Sequence, residues 1–336
     1  MDIARIFTVS EDDSSKRLDL YLASVIQGLS PLRGFTRSAV KNLIDRGKVL
    51  VNNRQVKAGY ALKTGDSVSV ELPGEKPPGT QPEAIALGII YEDDDIIVID
   101  KQAGLSVHPG AGRASGTLVN ALLNHTKNLS NIDPQRPGIV HRLDMDTTGV
   151  LVVAKNNASH ESLARQFKEH TTTRRYQALV RGTLREDEGI IDLPIGRAAL
   201  QRKKMSTRAR KSRKAVTRWK ALRRYPGLTL VELMPETGRT HQLRVHLSAI
   251  NRPVVGDQVY GGKGLNPLRG FSSNLPGRIV DKLKGVKRQL LHAGTLGIKH
   301  PATGVYMEFS SPLPADMGGI IKLLDEECSE SGKKTA

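Results

Sequence analysis

Between Arg17 and Leu72 the apolar positions recur first at helical and then at strand spacing. Leu18, Leu22, Val25 and Ile26 fall at i, i+4, i+7 and i+8, one face of a helix. A second helix is predicted with Thr36 as its cap, Val40, Leu43 and Ile44 on its inner face, and Gly47 at its end. The period then drops to two. Lys48-Val49-Leu50-Val51, a turn at Asn52-Asn53, and the alternating Val68, Val70 and Leu72 after Gly65-Asp66 predict a small antiparallel sheet against the two helices. From Pro73 to Pro82, Pro and Gly are too dense for either a helix or a ladder, and the stretch reads as a linker. Beyond it, short apolar runs (Ile96 to Ile99, Gly149 to Ala154, Tyr176 to Val180, Leu228 to Leu233) are interleaved with helical stretches such as Ala158 to Glu169 and Thr240 to Ile250. Their spacing is too irregular for a βαβ repeat, so the pattern predicts an α+β fold with a mixed, mainly antiparallel sheet and flanking helices. The implied boundaries are a small domain over 1–75, a linker over 76–84, a large domain over 85–324 and a polar, disordered tail over 325–336.

Composition narrows the partners. The 336 residues carry 38% hydrophobic content, enough for a substantial core, and a formal net charge of +17, more than solubility requires. A polyanion is the expected partner. Nucleic acid is preferred to a membrane because no basic amphipathic helix or uninterrupted apolar span appears. The single cysteine, Cys328, excludes an internal disulfide framework and a cysteine-rich zinc site. Glu11, Asp12 and Asp13 near the N-terminus fit neither a secretory signal nor a basic transit peptide, so a cytoplasmic protein is expected. A monomer is the expected state. Two basic regions stand out. Arg33, Arg37, Lys41, Arg46 and Lys48 surround the second helix, where Arg37 and Lys41 are expected to grip a phosphate backbone. From Arg202 to Arg224 Lys and Arg recur without an acidic residue, and Val216, Trp219 and Leu222 anchor the run, which reads as a cradle for a nucleic-acid backbone.

The densest candidate chemistry is His141-Arg142-Leu143-Asp144-Met145-Asp146-Thr147-Thr148-Gly149, directly ahead of the apolar run Val150 to Ala154. Two carboxylates, a His and an Arg are thereby held at the lip of a buried strand. Asp144-Met145-Asp146-Thr147 also spells the Asp-x-Asp-x-Thr pattern of magnesium-dependent aspartate phosphotransferases. Those enzymes place the first Asp after an apolar strand and need a further acidic cluster, whereas here the strand follows the motif and Gly256-Asp257 has no acidic companion nearby in sequence. Paired glycosidase carboxylates are a third reading, one that leaves the basic surface unexplained. His241, His246 and His292 show no His-Glu-x-x-His spacing, and no zinc is expected.

His141-Arg142-Leu143-Asp144 with Thr147-Thr148-Gly149 resembles the catalytic signature of the RluA-type pseudouridine synthases. Arg174-Arg175-Tyr176-Gln177-Ala178 and Gly238-Arg239-Thr240-His241-Gln242-Leu243-Arg244 resemble two further signatures of that family. Val107 to Gly112 and Val255 to Gly262 look most like its RluD branch, which acts on large-subunit ribosomal RNA. The resemblance runs from Arg17 to about Pro314. It implies a pseudouridine synthase fold and the isomerisation of uridine to pseudouridine in RNA, with no metal or other cofactor. It further implies that Asp144 is the nucleophile or charge stabiliser, that Tyr176 stacks on the base and assists loss of the C5 proton, and that Arg244 pairs with Asp144. Arg142 would fill the helix as the base flips out, and Leu291, in Leu290-Leu291-His292-Ala293, would help wall the pocket. Met145 stands where this branch usually carries Lys, which alters an RNA contact and not the chemistry. In front, Arg17-Leu18-Asp19, Thr36-Arg37-Ser38 and Gly47 to Asn52 resemble the small α-L RNA-binding module of a ribosomal protein. A non-catalytic RNA-binding or ribosome-assembly protein would explain the charge and this module equally well, but not Asp144, Tyr176 and Arg244 together.

Overall fold

The run from Ile96 to Ile99 is apolar at every position because the strand it forms is covered on both faces. In the computed structural model, which describes residues 3–27, 37–72, 80–110, 113–198, 204–261 and 275–330, the chain divides into two compact units, Met1–Gly79 and Thr80–Ala336. Thr36, Arg33, residues 73–79, Arg202, Lys203, Gly262 and residues 331–336 lie outside the described residues.

In the first unit, strand β1 (Ile3–Thr8) precedes the two expected helices, α1 (Leu18–Gln27) and α2 (Arg37–Asp45), and strands β2 (Val49–Val51) and β3 (Ser67–Leu72). The strands pair antiparallel in the order β1-β3-β2. Leu18, Leu22 and Ile26 meet Val40, Ile44 and the inward residues of β2 and β3 in one core. β1 is not legible in the hydrophobic pattern, since Ile6 is 71% exposed; it joins the unit through its backbone pairing with β3.

The second unit is built on strands β4 (Gly88–Glu92), β5 (Ile96–Lys101), β6 (Thr148–Ala154), β7 (Thr173–Arg181) and β8 (Glu188–Asp192). A small three-stranded sheet follows, β9 (Ile195–Arg197), β10 (Met205–Ser206) and β11 (Ser212–Arg213). Strands β12 (Val216–Tyr225), β13 (Leu228–Pro235), β14 (Leu291–Lys299) and β15 (Tyr306–Ser310) return to the main sheet. Its order is β4-β5-β6-β14-β7-β13-β12-β8, with β15 on β14, and every pairing is antiparallel except β6 with β14. Helices α3 (Leu118–His125) and α4 (Asn157–Lys168) cover opposite faces: Ile97, Ile99, Leu151 and Val153 pack with Leu118 and Leu122, whereas Ile96, Val98, Val150 and Val152 pack with Leu163. Helices α5 (Gln242–Ala249), α6 (Gly277–Lys284) and α7 (Ala315–Glu330) cover the other half of the sheet. Among the described residues no helix is long and apolar enough to cross a membrane.

Two expectations change. The tail does not begin at Asp325: α7 continues to Glu330, because Leu324 is buried and Asp325 accepts a 2.7 Å hydrogen bond from Tyr225 Oη and pairs with Arg223. The basic stretch from Lys204 to Arg224 is not a uniformly free cradle either. Arg218 pairs with Glu236 at 2.6 Å, and Arg224 with Asp187 at 2.6 Å. With Arg223 on Asp325, acids from three other segments offset part of a run that has none of its own.

Candidate active site

The single parallel junction of the large sheet positions the site. His292 and Ala293 of β14 lie beside Thr148 and Gly149 of β6, while Ala293 also faces Tyr176 on β7. Gly149 has φ +113°, and a Cβ there would collide with the Ala293 carbonyl, so glycine is required for this close approach. The segment His141 to Thr147 therefore enters at the lip of β6, opposite Tyr176. Arg142, Asp144, Tyr176, His241, Arg244 and Leu291 all line one cavity of about 440 Å³. The sequence thus named five of these six, from segments up to about 150 residues apart, and the fold brings those five together. Arg37 and Lys41 belong to the first unit and lie in a separate depression of that unit with Arg17 and Asp19.

The loop carrying Asp144 is fixed through its backbone. Thr147 N–H donates to Asp144 O at 3.1 Å, Lys101 Nζ to Met145 O at 2.9 Å, and Arg288 Nη1 to Asp146 O at 3.0 Å. Arg288 is itself gripped by both oxygens of Asp316 on α7, at 2.6 and 2.7 Å. Lys101 was not a sequence candidate, although a charge ending an all-apolar strand was a signal for it. The residue is only 1% exposed, and its ammonium satisfies three carbonyls, of Gln102, Leu105 and Met145, one for each of its three protons. Burial draws its pKa down to about 8, against the opposing pull of Asp146 and Asp144. Lys101→Met is therefore expected to loosen the loop and lower kcat about 100-fold, with RNA affinity changed less than about threefold, since misplacement by about 1 Å costs that much. Single-turnover rates and filter binding of the same RNA check it.

Asp144 Oδ2 accepts a 2.9 Å hydrogen bond from Arg244 Nη1. The rest of that guanidinium is taken by Asp257, which accepts from Nε at 2.7 Å and from Nη2 at 2.9 Å. In sequence Asp257 has no acidic neighbour nearby; its partner is instead this buried cation. Gly256, at φ +78°, turns the chain so that Asp257 also accepts from Val259 N and Tyr260 N, at 2.8 and 2.9 Å. Burial alone would raise the Asp257 carboxyl, but these bonds and the Arg244 charge hold it below the usual carboxylate range. Burial likewise opposes the Arg244 charge, and its two carboxylates raise its pKa instead. The Arg244 guanidinium also stands 5.1 Å over the Tyr260 ring.

Tyr176 is half-buried and touches two core clusters. Burial pushes its phenol above the usual tyrosine range, Asp144 adds to this and Arg174 opposes it, so at neutral pH Tyr176 offers a ring face and an intact O–H. Leu291 is buried beside it on β14. Arg142 is exposed and makes no hydrogen bond or ion pair among the described residues, as a side chain waiting for a partner would. His141 has a structural role. Its Nε2 accepts from Val152 N at 3.0 Å, its ring stacks on Phe167 at 4.3 Å, and burial holds its pKa down to about 3. Around the cavity, Arg142, Lys168, Arg174, Arg239 and Arg244 stand against the one carboxylate Asp144, a field suited to a polyanion.

In the first unit Asp19 is buried and receives Arg17 Nε at 3.1 Å and Arg37 Nη2 at 2.9 Å. Both arginines remain more than half exposed, so one buried carboxylate presents two guanidinium groups to solvent. Of possible metal ligands, Asp93, Asp95 and His300 lie together away from the cavity. Asp93 is already occupied by the N–H groups of Asp95 and Ile96, by Tyr91 Oη and by His300 Nε2, each at 2.8 Å.

Residues 95–249 match the RNA pseudouridylate synthase family, and residues 32–68 match the S4 domain. The chain is similar to an RNA pseudouridine synthase of Bacillus subtilis called YlyB, described as uncharacterized, with 43% identity over 94% of this chain and 97% of that one. It is 40% identical to the ribosomal large subunit pseudouridine synthase D of Nitrosomonas europaea over 94% of this chain and 87% of that one. The solved structure of human RNA Pseudouridylate Synthase Domain Containing 1 superposes with a TM-score of 0.54 at 29% identity, covering 71% of this chain and 89% of that one. The chain belongs to the RNA pseudouridylate synthase family. It is an RNA pseudouridine synthase that carries an S4 domain ahead of its catalytic unit.

Proposed function

We propose that this enzyme isomerises specific uridines of large-subunit ribosomal RNA, with Asp144 acting at the sugar of a uridine flipped into the cavity and without a cofactor. The reaction breaks the bond from C1′ to N1, turns the uracil in place and joins C5 to C1′; the C5 proton is lost and N1 takes one up, so the atoms balance. The observation that carries this reading is one carboxylate, Asp144, bonded to a buried arginine and placed in a cavity whose wall includes Tyr176 and Leu291. The carboxylate would act as nucleophile or as the charge that stabilises the sugar. Tyr176 would stack on the base and Arg142 would occupy the gap left in the RNA helix. The ribosomal substrate is supported by relatives at about 40% identity that bear the name ribosomal large subunit pseudouridine synthase D.

Pseudouridine mapping of ribosomal RNA from cells with and without the protein is the test, followed by tritium release from C5-labelled uridine in a stem-loop that is stable in monovalent salt. Sites should vanish without the protein. Release should persist in EDTA, because Arg244 supplies the positive charge beside Asp144 that a metal would otherwise supply. Unchanged maps and no tritium release would leave the alternative, an RNA-binding protein without activity.

The S4 domain is expected to contribute backbone contacts. Replacing Arg37 and Lys41 by Gln leaves Arg17 on the buried Asp19, so the unit stays folded. The slope of log affinity against log salt should flatten by about 0.9 for each duplex phosphate that is no longer neutralised, or about 0.7 on a single strand. Binding isotherms across a salt series would show it, and unchanged slopes would remove these residues from the interface.

A further inference from the structure

His241 holds a left-handed backbone, a conformation uncommon outside glycine. It is the residue preceding α5, in the left-handed region at φ 56° and ψ 19°. A non-glycine residue held there is characteristic of sites where position matters more than local comfort. The turn is locked from below: Gln242 Nε2 donates to Val216 O at 2.9 Å, and its Oε1 accepts from Arg239 N at 3.0 Å. What this achieves is the placement of both ring nitrogens.

Nδ1 of His241 lies 2.8 Å from Tyr260 Oη. That hydroxyl already accepts the Met205 N–H at 2.9 Å, and among the described residues His241 Nδ1 is the acceptor within reach of its own proton, which assigns the O–H as the donor. Nδ1 is then the lone-pair nitrogen, and the neutral ring carries its hydrogen on Nε2. Burial, the largest influence on this ring, lowers its pKa and favours the neutral form. Nε2 stands 3.9 Å from Asp144 Oδ1, whereas Arg244 bonds the other oxygen, Oδ2. A separation of 3.9 Å is too long for a direct hydrogen bond, but an oxygen placed about 2.8 Å from each atom spans it, with an angle of about 90° between the two contacts.

An atom in that position must accept from Nε2–H and donate to Oδ1. Uracil has no such atom, since its carbonyls only accept and its N3–H only donates. A hydroxyl does both. In a nucleotide within an RNA strand the 3′ and 5′ oxygens are esterified, which leaves the 2′-OH as the one free sugar hydroxyl, next to the C1′ at which Asp144 is placed by the function proposed above. We propose that His241 Nε2 and Asp144 Oδ1 form a hydroxyl-binding slot for the ribose 2′-OH of the target nucleotide, so that His241 is a specificity-determining residue that distinguishes RNA from DNA at the reacting position. This inference rests on that function. Tyr260 is a positioning residue, acting through the tautomer of His241.

The experiment uses the full-length protein and two synthetic stem-loops containing the mapped target, one with uridine and one with a single 2′-deoxyuridine there. Single-turnover rates are compared for wild type, His241→Asn and Tyr260→Phe. Asn tolerates the left-handed backbone, and Phe keeps the ring beside Arg244. Wild type should favour the uridine stem-loop about 100-fold, within the range for deleting a hydrogen bond to a site built to receive it. His241→Asn should lose at least tenfold of that preference, mainly by slowing on uridine, and Tyr260→Phe should lose part of it. A role confined to shaping the turn would slow both substrates equally and leave the ratio intact. An undiminished 2′ preference in His241→Asn, or no preference in wild type, overturns the slot while leaving the activity standing. No conversion of the uridine stem-loop by wild type defeats the underlying function instead.

Discussion

Asp144→Asn is expected to lower pseudouridine formation by about 10³-fold or more, about 4 kcal/mol of transition-state stabilisation, with RNA affinity kept within about tenfold. Asn has the same shape and can still accept the Arg244 Nη1 hydrogen bond through its amide oxygen. The bidentate pair between Arg244 and Asp257 is untouched, so the cavity wall should survive. What disappears is the negative charge of the carboxylate in the cavity. Because the fold and the other cavity residues remain, the loss should fall on the chemical step and not on binding. Single-turnover kinetics with saturating enzyme, beside a binding isotherm for the same RNA, separate the two. Turnover near the wild-type rate in a clean preparation would remove Asp144 from the role proposed for it.

Arg244→Met should cost both activity and stability. Two carboxylates share this guanidinium, and the side chain of Asp257 is 0% exposed while that of Asp144 is 17% exposed. Removing the cation leaves Asp257 with only two backbone N–H donors, and breaking a buried pair from one side destabilises by about 3–5 kcal/mol. The pH dependence should also change sign. In the wild type the folded pKa of Asp257 is depressed, so its contribution is full above its unfolded value and is lost only as pH falls through the folded one. Without Arg244, burial is opposed by no cation and the folded pKa should rise above the unfolded value. The folded variant then binds the extra proton, and its stability falls as pH rises from about 4 through that raised pKa. Between mildly acid and neutral pH the urea midpoint should therefore fall for the variant, whereas in that window the Asp257 contribution of the wild type is already full and constant. Adding Asp257→Leu should recover much of the stability without restoring turnover, because the charge beside Asp144 would still be missing.

Asp144, Tyr176 and Arg244 could be named along the chain because each sits in a short stretch that resembles a signature of the family; without that resemblance Tyr176 reads as a core residue and Arg244 equally well as a surface cation. Asp257, Lys101, Arg288 and the pairing of His241 with Tyr260 could not be read the same way. Arg244 and Asp144 are 100 residues apart, Lys101 and Met145 are 44 apart, and Arg288 and Asp146 are 142 apart. Hydrophobic periodicity tells which face of an element is buried but not which element lies across from it.

The sequence by itself determined two units, the two helices and short strands of the first, the all-apolar strands at the centre of the second, and the loop where chemistry was to be sought. These follow from burial at period two or 3.6 and from Gly and Pro at turns, which act within a few residues. Only the tertiary structure decided that β6 runs parallel to β14, that α7 continues past Asp325, and that Glu236, Asp187 and Asp325 offset arginines of the basic run. It also decided that Asp257 is the second partner of Arg244. The reason is that charge pairing and strand order depend on distance in space, and the energy of a buried ion pair is set by groups that folding alone brings within about 3 Å of one another.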